Sequence, residues 1–286
     1  MERIQRAMEL ARAQRAAGGA ATVPVATPSP PPSEPAPVVV PLPATAAETA
    51  ARRAPGRPSV FTVSVQREAM RERRLVLPDE RGAAANAYKM LRAKVQAWMR
   101  GTPHRIIGVV SASEGEGKTL TAANLAMQLA SEPGQSVALV EFDLRRPALA
   151  RLFGVEGRVG IEAVLQGSAT LEEVTVGVAE LERLRILPAG RAATASVDPL
   201  AGPVPGQVLS ALATHQPNMI VIVDLPPALL SSDLLTVAPN LDAVLIVASE
   251  GRTRRDDLRK LSDMLRGQRV IGTVLNMASE FERRAY

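Results

Sequence analysis

The stretch that most constrains this chain is SASEGEGKT over residues 111–119, placed between the apolar run IIGVV at 106–110 and the helix-forming run LTAANLAMQLA at 120–130. A strand that breaks into a glycine-rich loop and then into a helix turns several backbone N–H groups toward one point, at the positive end of the helix dipole. That arrangement holds phosphate oxygens. Gly115 and Gly117 give the loop its freedom, Lys118 can reach the terminal phosphates, and Thr119 can offer its hydroxyl to Mg²⁺. The pattern G-x-x-x-x-G-K-[ST] is met except at its first glycine, where Ala112 stands. The sequence therefore predicts nucleotide binding, with Glu114, Gly115, Glu116, Gly117, Lys118, Thr119 and Leu120 around the phosphates.

The rest of the chain predicts the frame. Apolar runs rich in Val and Ile recur at Val137–Val140, Leu184–Leu187, Met219–Val223, Ala243–Val247 and Val270–Leu275, with helical stretches near Gln207–Thr214 and Arg254–Leu265. Short strands apolar on both faces and alternating with helices predict an α/β fold: a doubly wound, mostly parallel sheet with helices on both sides. Tyr88, Leu91, Val95 and Trp98 recur at helical spacing and predict a lead-in helix over about 83–100. Ahead of this domain, assigned to 60–286 with a tail at 280–286, Ile4, Ala7, Met8 and Ala11 outline a short amphipathic helix over 1–17. Between them, 11 of the 23 prolines fall from Pro24 to Pro58, so residues 18–59 are expected to be a disordered linker.

Composition removes several chemistries. With no cysteine and two histidines, thiolate zinc, iron–sulfur clusters, disulfides and a cysteine nucleophile are excluded, and a bound metal is expected to use oxygen ligands. The net charge of +5 is unevenly spread: residues 1–100 carry 16 Lys+Arg and 8 Asp+Glu, leaving 18 and 21 for the remainder. A mildly acidic main domain speaks against nucleic acid, while the basic arm could meet a membrane surface or an acidic partner. Without a spanning apolar run or a signal peptide, the chain is expected to be cytoplasmic.

Two further acidic motifs end strands, where doubly wound folds place their ligands. Val137–Val140 runs into Glu141-Phe-Asp143, and Met219–Val223 runs into Asp224-Leu-Pro-Pro227. Alternation along an extended chain would put Glu141 and Asp143 on one side. Phosphoryl transfer needs a positioned Mg²⁺ and a group to take the attacking hydroxyl's proton, so carboxylates beside the γ-phosphate are the expected equipment.

These residues resemble the bacterial tyrosine kinases of polysaccharide export. The resemblance runs from about Gly82 to Ser279, through SEGEGKTLTAANLA, VALVEFDLRRPALARLFG, GIEAVLQG, RILPAG, VIVDLPPALLSSD and VIGTVLN. It implies a P-loop NTPase fold that uses ATP and Mg²⁺, and tyrosine autophosphorylation that regulates exopolysaccharide chain length, polymerisation or export. By resemblance, Lys118 and Thr119 bind the phosphates and Mg²⁺, and Glu141 and Asp143 occupy the paired aspartates of the second motif. Asp224 is the third motif's metal carboxylate, and Asn276 reads the adenine. It further implies a tail tyrosine as phosphoacceptor, here Tyr286, a homo-oligomeric ring, and a membrane chain-length (co-polymerase) protein as partner, with membrane contact only through that partner or the N-terminal helix.

Four departures bear on those expectations. Glu141 replaces an aspartate; the ring motif Glu-x-x-Arg-x-x-Arg reads Asn86-x-x-Lys89-x-x-Arg92; the tail carries Tyr286 in place of a tyrosine cluster; and Ser113-Glu114 stands where the family has proline. Two other readings stay open on the residues. One is a regulatory ATP-binding module that engages the membrane protein without phosphorylating tyrosine. The other is a positioning ATPase of the ParA and MinD kind, whose signature lysine would fall where Ser113 lies.

Overall fold

In the computed structural model the described residues are 60–190 and 199–278, so the expected helix at 1–17, the linker at 18–59 and the tail with Tyr286 lie outside them. The chain divides into two units, Met1–Arg52 and Arg53–Tyr286, and the description concerns the second.

Eight strands form one sheet among the described residues: β1 (Phe61–Val63), β2 (Ile106–Ser111), β3 (Ser136–Glu141), β4 (Val176–Val178), β5 (Leu181–Leu187), β6 (Met219–Asp224), β7 (Ala243–Ser249) and β8 (Val270–Asn276). Their spatial order is β1-β4-β5-β3-β6-β2-β7-β8. Neighbours run parallel except β4 and β5, which form an antiparallel hairpin. The connecting helices are α1 (Arg67–Glu72), α2 (Ala83–Met99), α3 (Lys118–Ala130), α4 (Leu149–Phe153), α5 (Ile161–Leu165), α6 (Leu171–Val174), α7 (Val204–His215), α8 (Asp233–Val237) and α9 (Arg255–Met264).

The strand composition follows from burial on both faces. Val137, Leu139, Ile220 and Ile222 join one core with Met70, Leu125 and Leu129. Their neighbours Ala138, Val140, Val221 and Val223 join a second core with Phe142, Leu209, Leu234 and Leu261. Period-two alternation between two dry faces leaves no room for polar residues in the central strands. The sheet is mostly parallel, as the sequence predicted, and mixed at the β4–β5 hairpin, whose first strand the sequence did not show. Glu180 in its turn accepts hydrogen bonds from Ser64 Oγ at 2.5 Å and Val65 N at 3.2 Å, fastening the chain just beyond β1.

This topology sets the site. β2 lies between β6 and β7, and registers Val109↔Asp224 and Glu141↔Asp224 bring the carboxyl ends of β2, β3 and β6 to one rim.

Candidate active site

The phosphate loop is built on two left-handed glycines. Gly115 has φ +71° and Gly117, which precedes α3, has φ +86°; a side chain is strained at either. A Cβ on Gly117 would also stand 1.9 Å from Asn276 Nδ2. The loop is fastened from the ends of β7 and β8, next to β2 in the sheet. Asn276 Nδ2 donates to the Glu116 carbonyl at 3.0 Å, and an Arg252 Nη donates to the Gly115 carbonyl at 3.2 Å. The buried Glu116 carboxylate accepts the Ser113 N–H at 2.8 Å and the Thr253 hydroxyl. Thr253 Oγ1 in turn accepts the Ser249 N–H at 2.7 Å. The ends of β7 and β8 thus hold the loop's shape.

Lys118, the first residue of α3, turns its ammonium onto the acidic rim. Its Nζ donates to Asp143 Oδ2 at 2.7 Å and lies 3.8 Å from Asp224 Oδ1. Burial works against the lysine's charge, but the Asp224 and Asp143 carboxylates outweigh it and hold its pKa above the ordinary value. Asp224 is fully buried, and neither carboxylate oxygen has a hydrogen-bond partner among the described residues. Burial pushes its pKa up to about 6, with Lys118 opposing the rise. Buried carboxylates in folded proteins are normally satisfied, so Asp224, which has Lys118 and the Thr119 hydroxyl beside it but no close hydrogen bond to either oxygen, suits a divalent cation.

Two expected site residues make their contacts within the chain. Glu141 does not stand beside Asp143 facing the phosphates: Oε1 accepts the N–H groups of Ala148 at 2.6 Å and Leu149 at 2.8 Å, and Oε2 accepts that of Ala189 at 2.9 Å. The reason is local. β3 ends at Glu141, so strand alternation does not carry on to Asp143. Glu141 instead ties the start of α4 to the chain beyond β5, and burial pushes its pKa up to about 7 against the pull of those amides. Asn276, expected to read adenine, has its amide nitrogen on Glu116 and its oxygen accepting the Met277 N–H at 2.9 Å.

Other residues fall as follows. Thr119 Oγ1 lies 3.4 Å from Lys118 Nζ, and Leu120 packs partly buried against the core under α3. Glu114 pairs with Arg146. In the ring-motif segment, Lys89 Nζ donates to the Glu80 carbonyl at 2.8 Å and Arg92 pairs with Glu132 at 2.5 Å, both within the chain. Tyr88 lies half-buried beside Asn124 and Thr121 of α3, and burial raises its pKa. Sequence reasoning missed Thr253 and Arg252, which carry no motif signal, and gave no role to Arg145 and Asp233, which lie inside the quoted second- and third-motif stretches.

Comparison with known proteins places this geometry. The ParA family model, described as NUBPL iron-transfer P-loop NTPase, matches residues 102–284. The chain belongs to the ParA family of P-loop NTPases. It is similar to tyrosine-protein kinase CpsD of Streptococcus agalactiae serotype Ia, at 26% identity over 198 residues, covering 68% of this chain and 82% of that protein. It is also similar to the succinoglycan biosynthesis transport protein ExoP of Rhizobium meliloti, at 30% identity over 210 residues and 71% of this chain. The match spans about a quarter of ExoP, 26% of its length. Among solved structures, the kinase domain of VpsO superposes with a TM-score of 0.60 at 27% identity, covering 69% of this chain and 96% of that one. This ParA-family chain therefore resembles the bacterial tyrosine kinases, as its motifs suggest. It also has no cysteine with which to hold iron through thiolates.

Proposed function

We propose that this ParA-family chain is an ATP- and Mg²⁺-dependent protein-tyrosine kinase that phosphorylates its own tail at Tyr286 and regulates exopolysaccharide chain length, polymerisation or export. The observation that carries the reading is the cluster of Lys118, Asp143 and the unfilled Asp224 at the mouth of the phosphate loop. The names of CpsD and ExoP support the acceptor and the pathway.

The loop from Gly115 to Thr119 binds the phosphates through its amides. Asp224, Thr119 and Asp143 would hold Mg²⁺, which when bound neutralises phosphate charge. Lys118 then exchanges Asp143 for the phosphates, an exchange of one anion for another that keeps its ammonium paired throughout. Asp143 Oδ2, released by Lys118, would be the oxygen open to take the proton of an incoming tyrosine hydroxyl, with Oδ1 left to the cation. Glu141 keeps the loop in place through its three amide contacts.

The proposed partner is a membrane chain-length protein, with the chain peripheral on its cytoplasmic side. Among the described residues no helix is long and apolar enough to cross a membrane. A second reading, nucleotide binding that engages such a partner without transfer to tyrosine, is favoured by Glu141, whose oxygens are spent on backbone. Peptide mapping after incubation with ATP and Mg²⁺ separates the two. Phosphate on Tyr286 supports the kinase, and an unmodified chain that binds ATP, with or without its membrane partner, supports the module.

A further inference from the structure

β8 closes one side of the sheet. Among the described residues it pairs with β7 alone, so its outer edge is open along all seven residues, Val270–Asn276. An open edge is a template for another strand, and proteins guard such edges with proline or charge. The run VIGTVLN holds neither. Beside the edge, α2 and β8 leave a groove of about 400 Å³ lined by Met90, Leu91, Lys94, Val95, Ile271 and Val274. Met90 is 55% exposed there, and a Cβ on Gly272, also in the groove, would meet nothing within 4 Å.

The chain itself supplies an occupant. Residues 279–286, SEFERRAY, follow closely on β8. Met277, the first residue past the strand, has φ +57°, a left-handed conformation uncommon outside glycine. Left-handed backbone at the first corner is what the favoured two-residue hairpin turns use. A turn at Met277 and Ala278 sets a register: Ser279 falls opposite Asn276, Phe281 opposite Val274 and Ala285 opposite Val270. Residues opposite one another in an antiparallel ladder share a face. Val274 packs against the core that α2 covers, with Leu91 and Val95, so this register directs Phe281 to the groove. Length agrees as well, since eight extended residues reach about 26 Å and seven-residue β8 spans about 23 Å.

We propose that the tail returns along β8 as an antiparallel strand, with Phe281 in the groove beside α2, and so withholds Tyr286 from the phosphate loop. Asn276, the last residue of β8, is bonded to that loop at Glu116. A strand running back from there leaves Tyr286 past Val270, about 20 Å from the loop. Transfer then draws on the fraction of chains whose tail has left the edge. The withholding rests on Tyr286 being the acceptor, as proposed above; the docking does not.

Amide hydrogen exchange on the full chain without nucleotide tests the docking, and the initial rate of Tyr286 phosphorylation with ATP and Mg²⁺ tests its consequence. The amides of 280–285 should exchange at least about tenfold more slowly than in the free peptide SEFERRAY. Phe281→Asp and, on the exposed wall of the groove, Met90→Asp should each restore the free-peptide rate, phosphorylate Tyr286 several-fold faster and keep wild-type ADP affinity. Free-peptide exchange in wild type, or protection that survives both variants, would overturn the docking. So would protection that is lost on dilution, because another copy's tail would then be what covers the edge. Phosphorylation at the wild-type rate in variants that have lost protection would overturn the withholding. Protection that behaves as expected in a chain that never phosphorylates Tyr286 would support the docking and overturn the kinase reading, and the withholding with it.

Discussion

Lys118 Nζ donates to Asp143 Oδ2 at 2.7 Å, so the cation meant for phosphate is already held by a carboxylate of the second motif. Nucleotide binding then replaces one anionic partner of the ammonium with another. Removing the lysine breaks both states. Lys118→Ala is predicted to abolish stabilisation by ADP and Mg²⁺, which for wild type amounts to about 2.7 kcal/mol at a hundredfold excess over Kd. Thermal melts across an ADP titration check this; an undiminished shift in the variant would remove Lys118 from the site.

The loop's shape gives a second prediction. Gly117→Ala puts a methyl 1.9 Å from Asn276 Nδ2 at a residue with φ +86°. Both the clash and the backbone strain act on the amides that face phosphate. ADP affinity should fall at least tenfold, and Gly117→Ala combined with Asn276→Ala should recover only the part due to the clash, because the strained φ remains. Calorimetric ADP titrations of the single and double variants measure the two parts.

Glu141 gives a pH dependence whose sign is fixed by its burial. Its pKa rises from 4.5 to about 7 on folding. Between those values the folded chain binds more protons than the unfolded one, so stability contributed by this group is full below pH 4.5 and is lost as pH rises toward 7. The change is about 3 kcal/mol at most. Glu141→Gln should be flatter over that range, though lower overall for the amide contact it gives up. Urea melts of both chains from pH 4.5 to 8 check the slope; parallel curves would contradict it.

Asp224 links metal to pH. Its pKa of about 6 means that a cation must displace a proton below that pH, so the gain in ADP affinity from Mg²⁺ should shrink as pH falls through 6. In Asp224→Asn the gain should be absent at every pH while metal-free ADP binding persists. ADP titrations with Mg²⁺ or with chelator distinguish these outcomes.

The central sheet was legible because burial on both faces leaves its mark on composition: Val137–Val140 and Met219–Val223 hold only apolar residues, most of them β-branched. β1 and β4 were not, each being three residues long and so too short to show a period. In β5, the exposed Glu182 and Arg183 interrupt the apolar run. At the site, the residues whose chemistry is local, Gly115 to Thr119 and Asp224, could be read from their position at a strand end. The within-chain contacts of Glu141 and Asn276 could not. Glu141 depends on where β3 stops, and Asn276 on the distant Gly117 against which it packs.

The most direct test of the whole account is the intact mass of the full chain before and after incubation with ATP and Mg²⁺, run beside Lys118→Ala and Tyr286→Phe. The account predicts one added phosphate on wild type and none on either variant. Phosphate that persists on Tyr286→Phe would contradict the acceptor, and a wild type that binds ATP yet gains no mass, even with a membrane chain-length protein present, would contradict the kinase.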